Sequence, residues 1–350
     1  MIILHAVRVL ALSGLSFIVA FLVTPAFTKL LIRWGASKQI RKSGATPIFS
    51  KLHGQKEGTP TMGGLLVWGT VIAIAIVLFI CSKLFDGVFG YLDFIDRRET
   101  YLPLATMAIA GILGFLDDAL GVMRIGPHGG GLKVSQKLIL YFLVALLGAL
   151  WFYYRLEWST IVIPFLGNIF IGWWYIPLFI FVIVASAFSA NETDGLDGLA
   201  GGALLFGFIA LTVVAFALER FDLATFGGVV IGALLAFLWF NIYPARFFMG
   251  DTGAMSLGIT MGVIAMLTNT TFFLPLFVPI LVVESVSVII QLVSKKLRGK
   301  KVFLSAPLHH HYEALGWPET KVTMRFWIIS AMSSAFGLAL FFLHRYLLQF

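Results

Sequence analysis

The chain has 350 residues, of which 59% are hydrophobic and 12% are charged, well below the quarter or so of charged residues in a soluble domain. Water is therefore excluded as its main solvent, and apolar blocks of roughly 20 residues, each long enough to cross a bilayer as a helix, point to a bundle in lipid. The net charge of +8 is read as the Lys and Arg excess of cytoplasmic loops rather than a nucleic-acid footprint, and the single Cys81 leaves no intrachain disulfide or cysteine-based zinc site.

In chain order, apolar spans are expected near 9–32, 62–82, 102–120, 137–154, 173–190, 199–218, 225–243, 253–270, 272–293 and 326–347. Arg8 ahead of the first run imitates a signal peptide, but the run continues to Ile32 without a small-residue cleavage site, so it is read as a retained helix. The expectation is an all-α polytopic membrane protein of about ten transmembrane helices, one domain over residues 1–350. Alternate connections carrying Arg33, Lys38, Arg41, Lys42, Lys51, Lys56, Arg124, Lys133, Lys137, Arg246 and the 295–325 stretch hold seventeen Lys and Arg, against seven on the other side. The richer side is read as cytoplasmic, which puts both termini outside. On the outer side, the aromatic and β-branched connection 155–172 has the composition of a short hairpin or an interfacial helix.

Every unusual polar cluster falls on the basic side. Gly58-Thr59-Pro60-Thr61-Met62-Gly63-Gly64 leads into a helix start, where backbone N–H groups hold an anion or glycines allow close packing. Asp117-Asp118 closes the third span. Carboxylates beside hydrocarbon are expensive and mark functional candidates over interfacial snorkelling, and as helical neighbours they point about a quarter-turn apart, so two roles are expected. In Asn191-Glu192-Thr193-Asp194-Gly195-Leu196-Asp197-Gly198, three acids without a local Lys or Arg suggest Mg²⁺, and Asp194 and Asp197 share a face if the stretch is helical. Asn241 precedes Phe248-Met249-Gly250-Asp251-Thr252-Gly253, where Asp251 serves as a helix N-cap or joins the other acids on the same side. The run His309-His310-His311, flanked by Pro307 and Trp317, cannot turn all three rings to one ligand and suits diphosphate better than zinc. Glu284, Ser287 and Gln291 form a polar stripe in the ninth span that either lines a site or joins helices.

With GTPTMGG, GFLDD, NETDGLDGLAGG, FNIYPARFFMGDTG and APLHHHYEALGWPETKVTMRFW in this order from about Lys56 to Trp327, the chain resembles the phospho-N-acetylmuramoyl-pentapeptide transferases, within the polyprenyl-phosphate N-acetylhexosamine 1-phosphate transferase superfamily. The resemblance implies transfer of phospho-MurNAc-pentapeptide from UDP-MurNAc-pentapeptide to undecaprenyl phosphate, giving lipid I and UMP, with Mg²⁺, by a homodimer in the bacterial plasma membrane. It implies catalytic roles for Asp117, Asp118, Asp251 and His309, with Asp251 and Asp118 as metal ligands. Lys56 and Lys137 match positions that meet phosphate; Asn191, Asp194 and Asp197 match the nucleotide-side loop; His310 and His311 match the histidine motif; Thr59 and Asn241 complete the expected substrate contacts. The sequence departs from the family pattern at Glu192, where an apolar residue, usually Leu, is typical, and at Ser186-Ala187-Phe188-Ser189-Ala190, which lacks an expected asparagine.

Joining two anions at a membrane surface calls for charge neutralisation and positioning. Asp117 is assigned as base for the lipid phosphate, and a route through an aspartyl-phosphate stays open. Three competitors are weighed. A transferase using UDP-GlcNAc shares the superfamily motifs. A transporter or flippase would show acids near span midpoints and broken helices in corresponding halves; here the acids sit at span ends, except Glu284, and no repeat is seen. A structural membrane protein gives no reason for the one-sided clusters.

Overall fold

The computed structural model describes residues 1–37, 56, 58–85, 87–96, 99–126 and 130–348; the expected loop cations Lys38, Arg41, Lys42, Lys51, Arg97 and Arg98 lie outside them. Ten long helices follow one another: α1 (Ile2–Arg33), α2 (Gly64–Leu84), α3 (Tyr101–Val122), α4 (Val134–Leu150), α5 (Tyr175–Thr193), α6 (Leu199–Ala217), α7 (Phe221–Asn241), α8 (Gly250–Leu267), α9 (Pro279–Arg298) and α10 (Glu319–Leu348). Among the described residues nine helices are long and apolar enough to cross a membrane, and α9 is not one of them. Its inner face is polar, with Glu284, Ser285, Ser287, Gln291 and Ser294 buried, while Val283, Val286, Ile289 and Ile290 are exposed.

The centre of the bundle is α8, in which every residue but Asp251 is buried. Its small residues let other backbones come close, the means by which helices associate when lipid is as apolar as their side chains. A Cβ on Gly114 of α3 would lie 2.8 Å from Thr252 N, and one on Gly258 would lie 2.7 Å from Ser186 O of α5. Gly64 and Gly253 bring α2 and α8 into direct backbone contact. On the flank, α1 runs along α7, where Ser16 Oγ donates to Val229 O at 2.7 Å.

The first span starts at Ile2 and the tenth at Glu319, each seven residues early, and two further boundaries move. The eighth span starts at Gly250, which puts Asp251 inside its first turn with Met249 as N-cap, so Asp251 is not the cap. The ninth starts at Pro279, after a connection holding the short helix Leu274–Phe277. The 155–172 connection forms the hairpin β1 (Thr160–Ile163) and β2 (Gly167–Phe170), with Thr160 opposite Phe170. It docks through Val162 N to Asn269 Oδ1 and Phe165 N to His344 Nδ1, each 3.0 Å. Both chain ends share that end of the bundle: Arg8 pairs with Asp222 at the start of α7, and Arg345 donates to Ala217 O at the end of α6. All the acidic motifs gather at the opposite end.

Candidate active site

The first motif is an assembly seam. Phe248 N donates to Pro60 O, Gly63 N to Phe248 O and Gly64 N to Met249 O, at 2.8–2.9 Å. The N–H groups of Gly63 and Gly64 are thus spent on chain pairing, and Thr59 N turns back to Lys56 O at 3.2 Å. Gly250 takes φ 72, a conformation in which glycine carries no Cβ penalty; a Cβ there would also lie 2.7 Å from Thr61 Oγ1.

Asp117 and Asp118 do different work. Asp118 reaches from α3 to the start of α8. Its Oδ2 accepts from Thr252 N (3.0 Å) and Thr252 Oγ1 (2.7 Å), and its Oδ1 from Asp251 N (3.2 Å). First-turn N–H groups without intrahelical partners are met by a carboxylate at the positive end of the helix dipole. The buried Asp117 instead accepts from Leu132 N at 2.5 Å and pairs with Lys137 Nζ at 2.7 Å. Gly131 allows that approach, since a Cβ there would lie 3.2 Å from Asp117 Oδ1.

Lys137, in the first turn of α4, also donates to Asp251 Oδ2, while Asn191 Nδ2 donates to Asp251 Oδ1. One ammonium therefore bridges two carboxylates. Of its three N–H donors two are taken, which leaves one for a ligand. Asp194 Oδ2 accepts from Gly250 N at 3.0 Å, fixing the turn that presents Asp251. Beside Lys137 and Asn191 opens a cavity of about 500 Å³, with Lys133, Tyr141, Phe188 and Glu192 on its wall.

A second knot joins loops. Asp197 pairs with Lys56 Nζ at 2.6 Å and accepts from Ala245 N at 3.0 Å. Lys56 also meets Glu319 at 2.5 Å, and Glu319 accepts from Asp197 N at 2.6 Å. Asn241 accepts from Gly198 N (3.0 Å) and donates to Phe247 O (2.8 Å). Helix α5 ends at Thr193 and residues 194–198 form turns, so Asp194 and Asp197 do not share a helical face; each ties a different segment.

The histidines point three ways. His309 is fully buried against Gly195, with Nδ1 3.1 Å from Glu284 Oε2 and its backbone N–H 3.2 Å from Glu284 Oε1. His310 meets Glu313 at 2.7 Å, and His311 Nδ1 accepts from Leu304 N at 3.2 Å. His309 abuts the 194–198 turn. Glu284, the polar residue with two open readings, joins α9 to the histidine helix Leu308–Ala314.

Comparison with known proteins agrees with this geometry. Residues 100–269 match Glycosyl transferase family 4. A phospho-N-acetylmuramoyl-pentapeptide-transferase of Anoxybacillus flavithermus is 37% identical over 332 residues, 94% of this chain and 97% of its own length. Those of Desulforudis audaxviator and Halalkalibacterium halodurans are 34% and 38% identical, covering 95% and 93% of this chain and 98% and 95% of their own. The chain belongs to the phospho-N-acetylmuramoyl-pentapeptide transferase family. It is thus a polytopic membrane transferase, and the polar end of the bundle is its candidate active site.

Sequence reasoning missed several residues in this transferase site. Glu319 gives no signal beyond being an acid in the first turn of α10, and Thr252 looks like one more small polar residue beside Asp251. The Leu132 N–H has no side-chain signature at all. The donor set fits a hard divalent cation: Asp117 and Asp251 direct carboxylate oxygens at one positive charge. Among the described residues no three His, Cys, Asp or Glu side chains converge to hold a metal alone, and Mg²⁺ is commonly held by one or two carboxylates with substrate phosphates completing its shell.

Proposed function

We propose that this transferase moves phospho-MurNAc-pentapeptide from UDP-MurNAc-pentapeptide to undecaprenyl phosphate, producing lipid I and UMP. The observation that carries the reading is Lys137 held between Asp117 and Asp251 at the mouth of a cavity, at the end of the bundle where the acidic, glycine and histidine motifs meet. It supports chemistry on an anion at a membrane face. The loop charges support a cytoplasmic site with both termini outside in the bacterial plasma membrane, and the family resemblance supports a homodimer acting as one domain over residues 1–350.

In the reaction, an oxygen of the lipid phosphate attacks the sugar-bearing phosphorus of the donor. A new P–O bond forms, the bond to UMP breaks, and its electron pair leaves on the UMP oxygen. Lys137 offers its remaining N–H to the donor diphosphate and offsets the charge that develops there. Asp117, oriented by Leu132 N–H and Lys137, accepts the acceptor's proton when undecaprenyl phosphate binds as the monoanion, since a phosphate monoester ionises a second time near pH ~6. Asp251 would hold Mg²⁺, with Asp117 in place of the expected Asp118, whose two oxygens already accept from Asp251 N and Thr252; the ion when bound supplies Lewis-acid stabilisation of phosphoryl oxygens. Asp118 fixes the turn that carries Asp251. Asn191 orients Asp251; Lys56, Thr59, Asp194, Asp197 and Asn241 shape the nucleotide side; His309, His310 and His311 flank the diphosphate.

The test is UMP release in detergent from UDP-MurNAc-pentapeptide plus undecaprenyl phosphate, with Asp251→Ala and UDP-GlcNAc as comparisons. Magnesium-dependent release from the muramyl donor alone, lost in the variant, is expected. Release from UDP-GlcNAc only would assign the protein to GlcNAc-1-phosphate transfer.

A further inference from the structure

Two cations at the polar end of the bundle are met by acids: Lys137 by Asp117 and Asp251, and Lys56 by Asp197 and Glu319. Lys321 and Arg325 are not. Both are exposed, and among the described residues neither side chain has an ion-pair or hydrogen-bond partner. They stand one turn apart on α10, a spacing at which like charges destabilise a helix. The acids nearest to them in sequence are spent elsewhere, Glu319 on Lys56 at 2.5 Å and Glu313 on His310 at 2.7 Å.

An indole holds the two cations together. Lys321 Nζ lies 4.7 Å and Arg325 Cζ 4.4 Å from the centre of the Trp317 ring, an attraction between charge and ring that leaves the N–H donors free. Trp317 in turn stacks on Tyr312 of the histidine helix at 4.8 Å, and its backbone N–H donates to Tyr312 O at 3.1 Å. The patch is therefore fastened to the segment that sets His309 against Gly195, and Lys321 lies two residues beyond Glu319, which ties Lys56 to the Asp197 turn. A guanidinium with unspent donors in a fixed fork is suited to a carboxylate or a phosphate. Met324 and Ile328 on the same helix face outward, so a lipid headgroup is the competing anion at this level. Cations that serve lipid need no ring to gather them, whereas these two are drawn to one anchored on the histidine helix.

We propose that Lys321 and Arg325, gathered on Trp317, bind the carboxylate at the free end of the donor's peptide. This rests on the proposed transferase reading, in which the donor carries a pentapeptide. Five extended residues span at most about 17 Å, so a patch that begins beside the Lys56, Asp197 and Glu319 knot is within reach of a peptide leaving the sugar at the site. The same contact favours a donor that carries a peptide over a nucleotide sugar that carries none.

UMP release by the full-length protein in detergent tests it, measured with UDP-MurNAc-pentapeptide and with the same donor whose peptide ends in a carboxamide. Wild type should favour the carboxylate donor about tenfold in kcat/KM, chiefly through KM, the size of a hydrogen bond to a charged group. In the double variant Lys321→Met with Arg325→Met the preference should fall below twofold, and in Trp317→Leu, which keeps both charges and removes their platform, an intermediate preference should remain. The wild-type comparison requires no variant to fold, and equal use of the two donors there overturns the proposal. So does an equal preference in wild type and the double variant. A loss that is the same for both donors and varies with the phosphatidylglycerol content of nanodiscs also overturns it, and would assign the patch to lipid headgroups. UMP release from neither donor fails the transferase reading and this inference with it, whereas release from both without a preference strikes this inference alone.

Discussion

The two ends of the bundle both bury charge, and they do it differently. At the end holding the chain termini, Arg8 borders a cavity with apolar walls (Leu4, Val7, Val88, Leu92), but its charge is met by the fold: it pairs with Asp222 at 2.7 Å, donates to Asp93 O at 2.8 Å and lies over the Tyr91 ring. At the other end Lys137 is shared by two carboxylates and borders a cavity, with Glu192 on the same wall. A pair that satisfies itself fixes one arrangement of helices. A cation with more carboxylate than it can neutralise, next to open space, is arranged for something that arrives. The difference separates structure from function more sharply than the presence of charge does, because ionisable groups inside membrane proteins default to functional candidates in either place.

The largest way to break this comparison is to neutralise one cation at each end. Lys137→Met leaves Asp117 and Asp251 facing each other and removes the free N–H donor; kcat for UMP release should fall by about 10³-fold, in line with the loss of a preorganised electrostatic group. Arg8→Met should leave kcat within about twofold and lower the detergent unfolding midpoint instead. Comparable kcat losses in the two variants would abolish the distinction between the ends.

A smaller effect probes whether the polar stripe of α9 belongs with the structural or the chemical end. Glu284 and His309 are both fully buried, and the Glu284 carboxylate accepts the His309 backbone N–H. Glu284→Leu strands that N–H and removes the carboxylate beside the ring, which should cost about 2 kcal/mol of stability and about tenfold in kcat/KM as the histidine helix shifts against Gly195. Glu284→Gln keeps an acceptor for the N–H and should recover most of the stability. A full recovery of kcat/KM with it would make Glu284 a support for the histidine helix; stability without turnover would show that its charge orients the His309 ring. Denaturation and steady-state kinetics on the two variants separate these results.

How much of this was legible in the sequence follows from the physics of each feature. The helices were, because lipid demands long apolar runs, and so was the gathering of Asp117, Asp118, Asn191, Asp194, Asp197 and Asp251 at one end, because alternate connections return to the same side. The separate jobs of Asp117 and Asp118 followed from their quarter-turn offset. What was hidden depends on backbone or on distant chain: Leu132 N–H on Asp117, Glu319 on Lys56 and Asp197, and the glycine contacts that let α2, α3 and α5 crowd α8. The start of α8 was placed three residues late because glycine and aspartate read as loop, whereas Asp118 supplies from another helix the acceptor that such a start needs. Helix α9 read as a span whose polar stripe lines a site or joins helices, and that stripe is buried in protein while Val283, Val286, Ile289 and Ile290 face outward.

The smallest expected effect lies at the end holding the chain termini and sharpens the comparison from the other direction. Glu99, just ahead of α3, accepts from Leu223 N at 3.3 Å. Burial holds its carboxyl above the usual carboxylate range, a push that the Leu223 N–H and the charge of Arg220 only partly offset. A carboxyl whose folded pKa is raised binds its proton more tightly in the folded state, so its contribution to stability is full at acid pH and is lost as pH rises through the folded value. Wild type should therefore lose a little unfolding midpoint between about pH 4 and pH 8 relative to Glu99→Gln, which keeps an acceptor for Leu223 N and has no proton to release. UMP release should be the same in both, because Glu99 lies against Leu223 at the end of the bundle opposite the acidic motifs. A variant that instead gained stability toward acid pH relative to wild type would reverse the sign and show that Arg220, rather than burial, governs this carboxyl.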